Sequence, residues 1–137
     1  MSLSTLQTLK TILAPAGGGV HVVSTGLEET RALQRAIYGA ATTEEIAGCW
    51  TAALESIAEA RVVLLGVPSD TGAGFVRGAN QGPAQIRKSL LADPSHVAHA
   101  SHVVDAGDVR VIPHLLSEEM VSDEQIQRCR LSLYGDA

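Results

Sequence analysis

The sequence predicts an α/β fold built on a parallel β-sheet. An apolar, β-branched run from Val62 to Val67 indicates a buried strand, and it ends in a loop rich in Gly, Pro and Asp. A helical pattern follows from Pro83 to Leu91, and a second strand pattern runs from His102 or Val103 to about Val109. A strand, a helix and a strand in this order form a right-handed unit with two parallel strands.

Residues 1–60 are predicted to form a mainly helical N-terminal extension. The first helix spans residues 4–13 and is stopped by Pro15 and by the three glycines at positions 17–19. We interpret the glycines as a flexible joint and residues 20–23 as a short strand. The apolar face of this first helix consists of Leu6, Leu9 and Leu13.

Two more helices are predicted from capping-box spacings. Thr25 with Glu28 begins a helix that ends near Gly39 and has Leu33, Ala36 and Ile37 on one face. Thr42 with Glu45 begins the next helix, whose apolar stripe consists of Ile46, Trp50, Ala53, Leu54 and Ile57. A lone Trp on such a stripe is more often a core or interface anchor than a functional aromatic residue.

Residues 61–137 are predicted to be the start of the α/β domain. In its first helix, Ile86, Leu90 and Leu91 are expected to face inward, while Arg87 and Lys88 form a side that faces solvent or tethers the sheet. Ser122 with Gln125 marks the capping box of a last helix, which contains Ile126, Cys129 and Leu133. A helix after a strand normally leads to another parallel strand, so we expect the sheet to be incomplete in this chain, as a fragment or with completion by a partner.

Composition excludes several classes of function. The net charge is −5 and the sequence contains no basic stripe, which argues against nucleic acid as a partner. No apolar run approaches the roughly 20 residues needed to cross a membrane, and the N-terminus lacks the pattern of a secretory signal. Cys49 and Cys129 are expected to fill core or interface space, and the default location is a reducing cytoplasm.

The loop between the first strand and its helix holds the candidate substrate-loop residues Asp70, Gly72, Gly74, Arg77 and Gly78. Its glycine spacing superficially matches a dinucleotide-binding loop, but such a loop joins strand to helix within a few residues. Asp70 would also repel a pyrophosphate. Nucleotide binding is therefore the weakest of the alternatives kept here, and an ion pair between Asp70 and Arg77 is expected to fix the shape of the loop.

Four motifs occur in order in this part of the chain: Gly66-Val67-Pro68-x-Asp70, Gly72-x-Gly74 with Arg77-Gly78-Ala79, Gly82-Pro83-x-x-Ile86-Arg87 and Val104-Asp105-x-Gly107-Asp108-Val109. On these motifs, from residue 61 to about residue 113, the chain resembles the ureohydrolase family of arginases, agmatinases and formimidoylglutamases. The resemblance implies a three-layer α/β/α sandwich and a binuclear Mn²⁺ centre. This centre activates a water to attack a guanidino or formimino carbon, releasing urea or formamide. It also implies a small-molecule substrate, and the Arg77-Gly78-Ala79 element favours the agmatinase-like branch.

The metal ligands of that family come from Gly-Gly-Asp-His, Asp-x-His-x-Asp and Asp-x-Asp-x-x-Asp-Pro elements, and none of these occurs here. We therefore assign no catalytic residue and no metal ligand. Asp108 is a candidate for orienting a metal-ligating side chain by a hydrogen bond. As a pair, Asp105 and Asp108 are expected to be structural. His96, His99 and His102 share a spacing of three, but a loop that leads into a strand makes their side chains diverge.

Three functional hypotheses follow. The leading one is the N-terminal portion of a manganese-dependent, ureohydrolase-like enzyme, cytoplasmic, homo-oligomeric and inactive as this chain alone. The second is a non-catalytic α/β interaction module, in which residues 1–60 cover the sheet and Trp50 anchors a partner or a second copy. The third is a nucleotide-binding unit.

Overall fold

The computed structural model describes residues 3–20, 26–73, 75–93, 102–111 and 122–135, and over these ranges it shows helices around a small sheet. The elements in chain order are α1 (Leu3–Ile12), β1 (Leu13–Ala14), α2 (Leu27–Tyr38), α3 (Thr43–Glu55), β2 (Val62–Gly66), α4 (Gly82–Ala92), β3 (Val103–Val109) and α5 (Asp123–Tyr134). Short 3₁₀ turns follow α3 at Ser56–Glu59 and precede α4 at Ala79–Gln81.

The sheet has the order β1-β3-β2. Strands β2 and β3 are parallel and are joined by α4, so the predicted α/β unit is confirmed. Strand β1 is antiparallel to β3, with Leu13 opposite Val109 and Ala14 opposite Asp108. The N-terminal segment therefore occupies one edge of the sheet.

The prediction that α1 extends through Leu13 is wrong, because the helix ends at Ile12 and Leu13 begins β1. The Arg110 N–H donates to the Ile12 carbonyl at 3.1 Å, which draws the chain onto β3 instead of into another helical turn. Leu6 and Leu9 do lie on the buried face of α1. They pack against a core of Leu13, Trp50, Leu54 and Ala106.

The prediction of a flexible joint at residues 17–19 is also wrong. A Cβ at Gly19 would collide with the Val109 carbonyl and with the Asp108 side chain, so the glycine allows close packing of two chain segments. The Gly19 carbonyl accepts from the Val111 N–H at 2.8 Å. Val20 forms a parallel bridge with Val111, and residues 21–23 of the predicted strand lie outside the described residues.

Two of the three predicted capping boxes are confirmed, at Thr42 with Glu45 and at Ser122 with Gln125. Helix α2 instead has Gly26 as its N-cap, in the left-handed conformation and without a side-chain cap. Thr25 itself lies outside the described residues. In α2 only Leu33 is fully buried, while the apolar stripe of α3 buries Ile46, Trp50 and Leu54.

Helix α4 is turned differently from the prediction. Ile86 is 63% exposed, and the buried residue is its neighbour Arg87, at 5% exposure. The inward placement of Ile86 is therefore wrong, because the helix presents Arg87 to carboxylates on β3 instead. Leu90 and Leu91 are half-buried and Lys88 is exposed.

Strand β2 has no neighbouring strand on its second edge among the described residues. Val63 and Leu65 on β2 and Val67 just after it are exposed, with Leu65 at 52%. These large apolar side chains would be covered if more of a sheet lay alongside. No helix in the described ranges combines the length and apolarity that crossing a bilayer requires.

Candidate functional site

The candidate site lies where β2 and β3 end, since ligands of open α/β sheets bind beyond the carboxyl ends of the strands. Strand β2 leads through Pro68 into the loop of residues 68–81, and β3 ends next to the N-terminal segment. Three carboxylates lie in this region, on Asp70, Asp105 and Asp108.

Arg87 connects α4 to the end of β3 through a buried ion network. Its Nε and Nη2 atoms donate to the two carboxylate oxygens of Asp105 at 2.7 and 2.8 Å. Its Nη1 donates to Asp108 Oδ1 at 2.5 Å, and Nη2 also donates to the Gly107 carbonyl at 2.9 Å. The planar guanidinium therefore makes a two-pronged contact with one carboxylate and a single contact with the other.

A β-bulge places both carboxylates on the same side of the sheet. Leu64 pairs with Asp105 and Leu65 with Gly107, so Ala106 is an extra residue in β3. Side chains alternate in a regular strand, and residues three apart would face opposite sides. The extra residue restores Asp105 and Asp108 to one face. Gly107 has a φ of 90°, which requires glycine at this point of the bulge.

Gly66 allows β2 to approach Asp108 closely, and the backbone of Gly17 binds the same carboxylate. A Cβ at Gly66 would collide with Asp108 Oδ1. The Gly17 N–H donates to Asp108 Oδ2 at 2.7 Å, so the N-terminal segment supplies the second partner of this carboxylate. Asp108 is 1% exposed, and each of its oxygens accepts one hydrogen bond.

The N-terminal helices hold the bulge from the other side. Trp50 Nε1 donates to the Ala106 carbonyl at 2.9 Å, which satisfies the backbone at the extra residue. The Ala16 N–H donates to the Tyr38 hydroxyl at 3.0 Å. Burial raises the pKa of Tyr38 well above its usual value, so the phenol stays protonated. The prediction of Trp50 as a core anchor is confirmed.

Arg87 remains charged in this site. Burial by itself lowers the pKa of a guanidinium, but the hydrogen bonds and charges of Asp105 and Asp108 outweigh it, and the pKa of Arg87 is raised. Both oxygens of Asp105 and one oxygen of Asp108 are thus neutralised by a fixed cation. Carboxylates held in this way are poorly suited to coordinating a metal ion.

Asp70 organises the loop, and the predicted pair with Arg77 is confirmed. Asp70 Oδ2 accepts from Arg77 Nε at 2.9 Å, and the carboxylate also accepts from the Gly78 and Ala79 amides at 3.0–3.2 Å. Burial acts to raise the pKa of Asp70, but these hydrogen bonds outweigh it and the pKa lies below the usual value. The loop amides that a phosphate would need are therefore taken by Asp70.

The remaining candidate residues of the loop are Gly72, Gly74 and Gly78. Gly72 and Gly78 both have positive φ, at 78° and 132°, and Gly74 lies outside the described residues. Sequence reasoning missed the neighbouring Phe75 and Val76, whose side chains are almost fully exposed. The signal in the sequence is an aromatic residue within a Gly-rich stretch, which could have predicted exposed apolar side chains on this loop.

Metal ligation finds no support among the residues described. No group of three or more His, Cys, Asp or Glu residues within those ranges could hold a metal ion. His96 and His99, whose side chains the sequence predicts to diverge, lie outside those residues, and His102 is half-buried just before β3.

Comparison with known proteins gives one match. A family model described as "Arginase family" matches residues 60–132, which contain β2, α4, β3 and most of α5. No curated protein and no solved structure matches the chain.

Proposed function

This chain belongs to the arginase family, and on that premise we propose that it provides scaffold strands of a metal-dependent, ureohydrolase-like hydrolase without providing the metal ligands. The family match over more than half of the chain is the observation that carries the proposal. The substrate class would be a small molecule with a guanidino or formimino C–N bond, and the product would be urea or formamide. Within the family, the Arg77-Gly78-Ala79 element supports an agmatinase-like activity.

The arginase family implies manganese, but the described residues do not fit such a centre. Asp105 and Asp108 face the charged guanidinium of Arg87, and among the residues that the structure describes no other acidic or imidazole group joins them as a potential third ligand. A cation fixed between two carboxylates competes with a divalent ion for the same oxygens. We therefore assign no ligand and derive no reaction step through the metal.

The proposed role for Asp105, Asp108 and Arg87 is to fix the carboxyl end of β3 against α4. The loop of residues 68–81 would then form part of the rim of the substrate site, with its shape set by Asp70. This role accounts for the burial of Arg87 and Asp108 and for the partial burial of Asp105. It also accounts for the lack of unpaired buried polar side-chain atoms among the described residues.

The proposal also covers the organisation of the protein. Residues 1–60 would be an extension that precedes the family unit of residues 61–137, and the protein would be a cytoplasmic homo-oligomer. Two free cysteines, Cys49 exposed and Cys129 half-buried, support a reducing compartment.

A urea-release assay tests the proposal. The purified chain with added Mn²⁺ is incubated with arginine, agmatine or guanidinobutyrate, and a cooperative unfolding transition first establishes that it is folded. We expect no urea above the level of Mn²⁺ alone. Turnover by the folded chain that disappears on chelation would contradict the absence of metal ligands.

A non-catalytic interaction module is the second candidate, favoured by the exposed apolar side chains at the open edge of β2. Leu65 on β2 is 52% exposed and Ile86 on the neighbouring α4 is 63% exposed. A strand edge without a partner, as β2 has among the described residues, readily accepts another strand. Sedimentation velocity over a concentration series distinguishes the cases. Reversible self-association that is abolished by Leu65→Lys supports the module, while a monomer at all concentrations argues against it.

A further inference from the structure

The outer edge of β3 is covered by residues 12–20, which we call the edge segment. Its first residues pair with β3 in the antiparallel direction, as β1. The Arg110 N–H donates to the Ile12 carbonyl at 3.1 Å. At the other end of the segment, the Val111 N–H donates to the Gly19 carbonyl at 2.8 Å. Backbone hydrogen bonds therefore attach both ends of the edge segment to β3 and to the residues that follow it.

The middle of the edge segment contacts the carboxyl end of β3 through two glycines. The Gly17 N–H donates to Asp108 Oδ2 at 2.7 Å. A Cβ at Gly19 would collide with the Val109 carbonyl oxygen and with the Asp108 Cβ. A segment fits this surface only if it has glycine at the second position and a free N–H two residues earlier.

The apolar side chains of the edge segment are small and enclosed. Leu13, Ala14 and Ala16 are all buried. The Ala16 N–H donates to the Tyr38 hydroxyl at 3.0 Å, so the backbone between the pairing residues and the glycines is also satisfied. Backbone pairing with a strand edge, combined with fitted positions for individual side chains, is how sheets bind extended peptides.

The edge segment and the surface that receives it belong to different parts of the chain. Asp108 and the three residues after it lie within residues 60–132, which match the arginase family, whereas the edge segment lies outside that match. Gly17 and Val20 of the segment also line a cavity of about 140 Å³, together with Pro68 and Pro83. The segment therefore borders the carboxyl ends of the parallel strands, the usual location for a ligand.

From this arrangement we propose that the outer edge of β3, together with Asp108, is a binding site for an extended peptide, and that residues 12–20 occupy it as an intramolecular ligand. The ligand class is a short peptide of small apolar residues followed by glycines at the positions of Gly17 and Gly19. Release of the edge segment frees Asp108 Oδ2 and opens the neighbouring cavity. Peptide binding at this edge is independent of any hydrolytic reaction.

A synthetic peptide with the sequence of residues 12–20 tests the site, and the fluorescence anisotropy of a dye at its N-terminus measures binding. In the complete 137-residue chain the site is already filled by a tethered segment, whose effective concentration is about millimolar. In the Gly19→Ala chain the added Cβ collides with β3 and displaces the segment. We expect this variant to bind the peptide at least about tenfold more tightly than the wild-type chain does.

The same substitution should have the opposite effect in the peptide. A peptide with Gly19→Ala meets the same collision, so it should bind the variant chain at least about tenfold more weakly than the unchanged peptide does. A peptide with Gly17→Pro lacks the N–H that Asp108 accepts and should also lose at least about tenfold. Gly48→Ala is the matched control in the chain, because a Cβ there lies in open space within α3. It should bind the peptide as weakly as the wild-type chain does.

Two measurements on the Gly19→Ala chain precede the titration. A cooperative melting transition shows that it is folded. Hydrogen exchange of the Val111 amide, which donates to the Gly19 carbonyl, should be at least about tenfold faster than in the wild-type chain, because the edge segment has left. If this variant does not melt cooperatively, Gly18→Ala replaces it, since a Cβ there meets the Pro15 carbonyl within the segment.

Several outcomes would overturn the proposal. Unchanged protection of the Val111 amide would show that the segment does not depend on close contact with β3. Absence of saturable peptide binding after release would show that the edge does not bind a peptide. Equal binding by the wild-type chain, or of the peptide with Gly19→Ala, would place the peptide elsewhere. Loss of folding in both glycine variants would make the segment an inseparable part of the core.

Discussion

Replacing Arg87 by Met removes the cation of the buried network and keeps a side chain of similar length. The guanidinium makes four hydrogen bonds of 2.5–2.9 Å, to Asp105, Asp108 and the Gly107 carbonyl. Among the described residues, its loss leaves the Asp108 carboxylate, at 1% exposure, with the Gly17 amide as its one remaining partner. Removing one partner of a buried ion pair costs about 3–5 kcal/mol, which is about a fifth or more of the stability of a typical domain.

Urea denaturation measures this loss, followed by far-UV circular dichroism and by the fluorescence of the single Trp50. Lys88→Met is the matched control on the next residue of α4, and because Lys88 is exposed it should change stability by no more than about 0.5 kcal/mol. Adding Asp108→Asn to Arg87→Met removes the uncompensated charge. The double variant should therefore be more stable than the sum of the single effects by about 1–3 kcal/mol.

Two results would refute this reasoning. One is a loss of less than about 1 kcal/mol in the free energy of unfolding for Arg87→Met, which would show that the ion pairs of Arg87 with Asp105 and Asp108 do not form in solution. The other is strict additivity of Arg87→Met and Asp108→Asn, since side chains in direct contact should be coupled.

Three other predictions concern the bulge, the close glycine packing and the loop. Trp50→Phe leaves the buried Ala106 carbonyl without its donor, so the free energy of unfolding should fall by about 1–3 kcal/mol in urea titrations; an unchanged value would contradict the bond. Gly19→Ala should lower the melting temperature strongly because its Cβ meets backbone, whereas Gly48→Ala, in open space within α3, should raise stability by about 0.5–1 kcal/mol. Asp70 has a depressed pKa, so its anchoring of the loop is complete above its ordinary pKa of 3.8 and is lost as pH falls through the lower folded value. Amide NMR shifts of the loop should follow this titration and should lose it in Asp70→Asn; a transition above pH 5 would contradict the sign.

The parts of the fold that sequence predicted are those with strong local signals. The apolar run of β2, the capping boxes at Thr42 and Ser122, and the stripe around Trp50 depend on residues close together in the chain. The Asp70–Arg77 pair likewise joins residues seven apart within one loop. Local spacing is sufficient for each of these features.

The parts that sequence missed depend on distant partners. Strand β1 contains only two residues and exists because β3 offers a free edge. The helical spacing of Leu6, Leu9 and Leu13 therefore predicts that α1 ends at Leu13, one residue beyond its observed end. For Arg87 the sequence predicts a side that faces solvent or tethers the sheet, and the structure shows the second alternative. Local spacing does not decide between the two, because the two carboxylates that bind Arg87 lie about 20 residues away. The spacing of Asp105 and Asp108 around Gly107 did carry a readable signal, since a glycine within a strand often marks a bulge.

Binding of Mn²⁺ to the folded chain tests the central claim most directly, and the electron paramagnetic resonance signal of free Mn²⁺ measures it. The account predicts that the wild-type chain and the Asp105→Asn/Asp108→Asn variant withdraw equal, weak amounts of the ion, because Arg87 already occupies these carboxylates. Stoichiometric binding by the wild-type chain that is lost in the double variant would show instead that Asp105 and Asp108 are metal ligands.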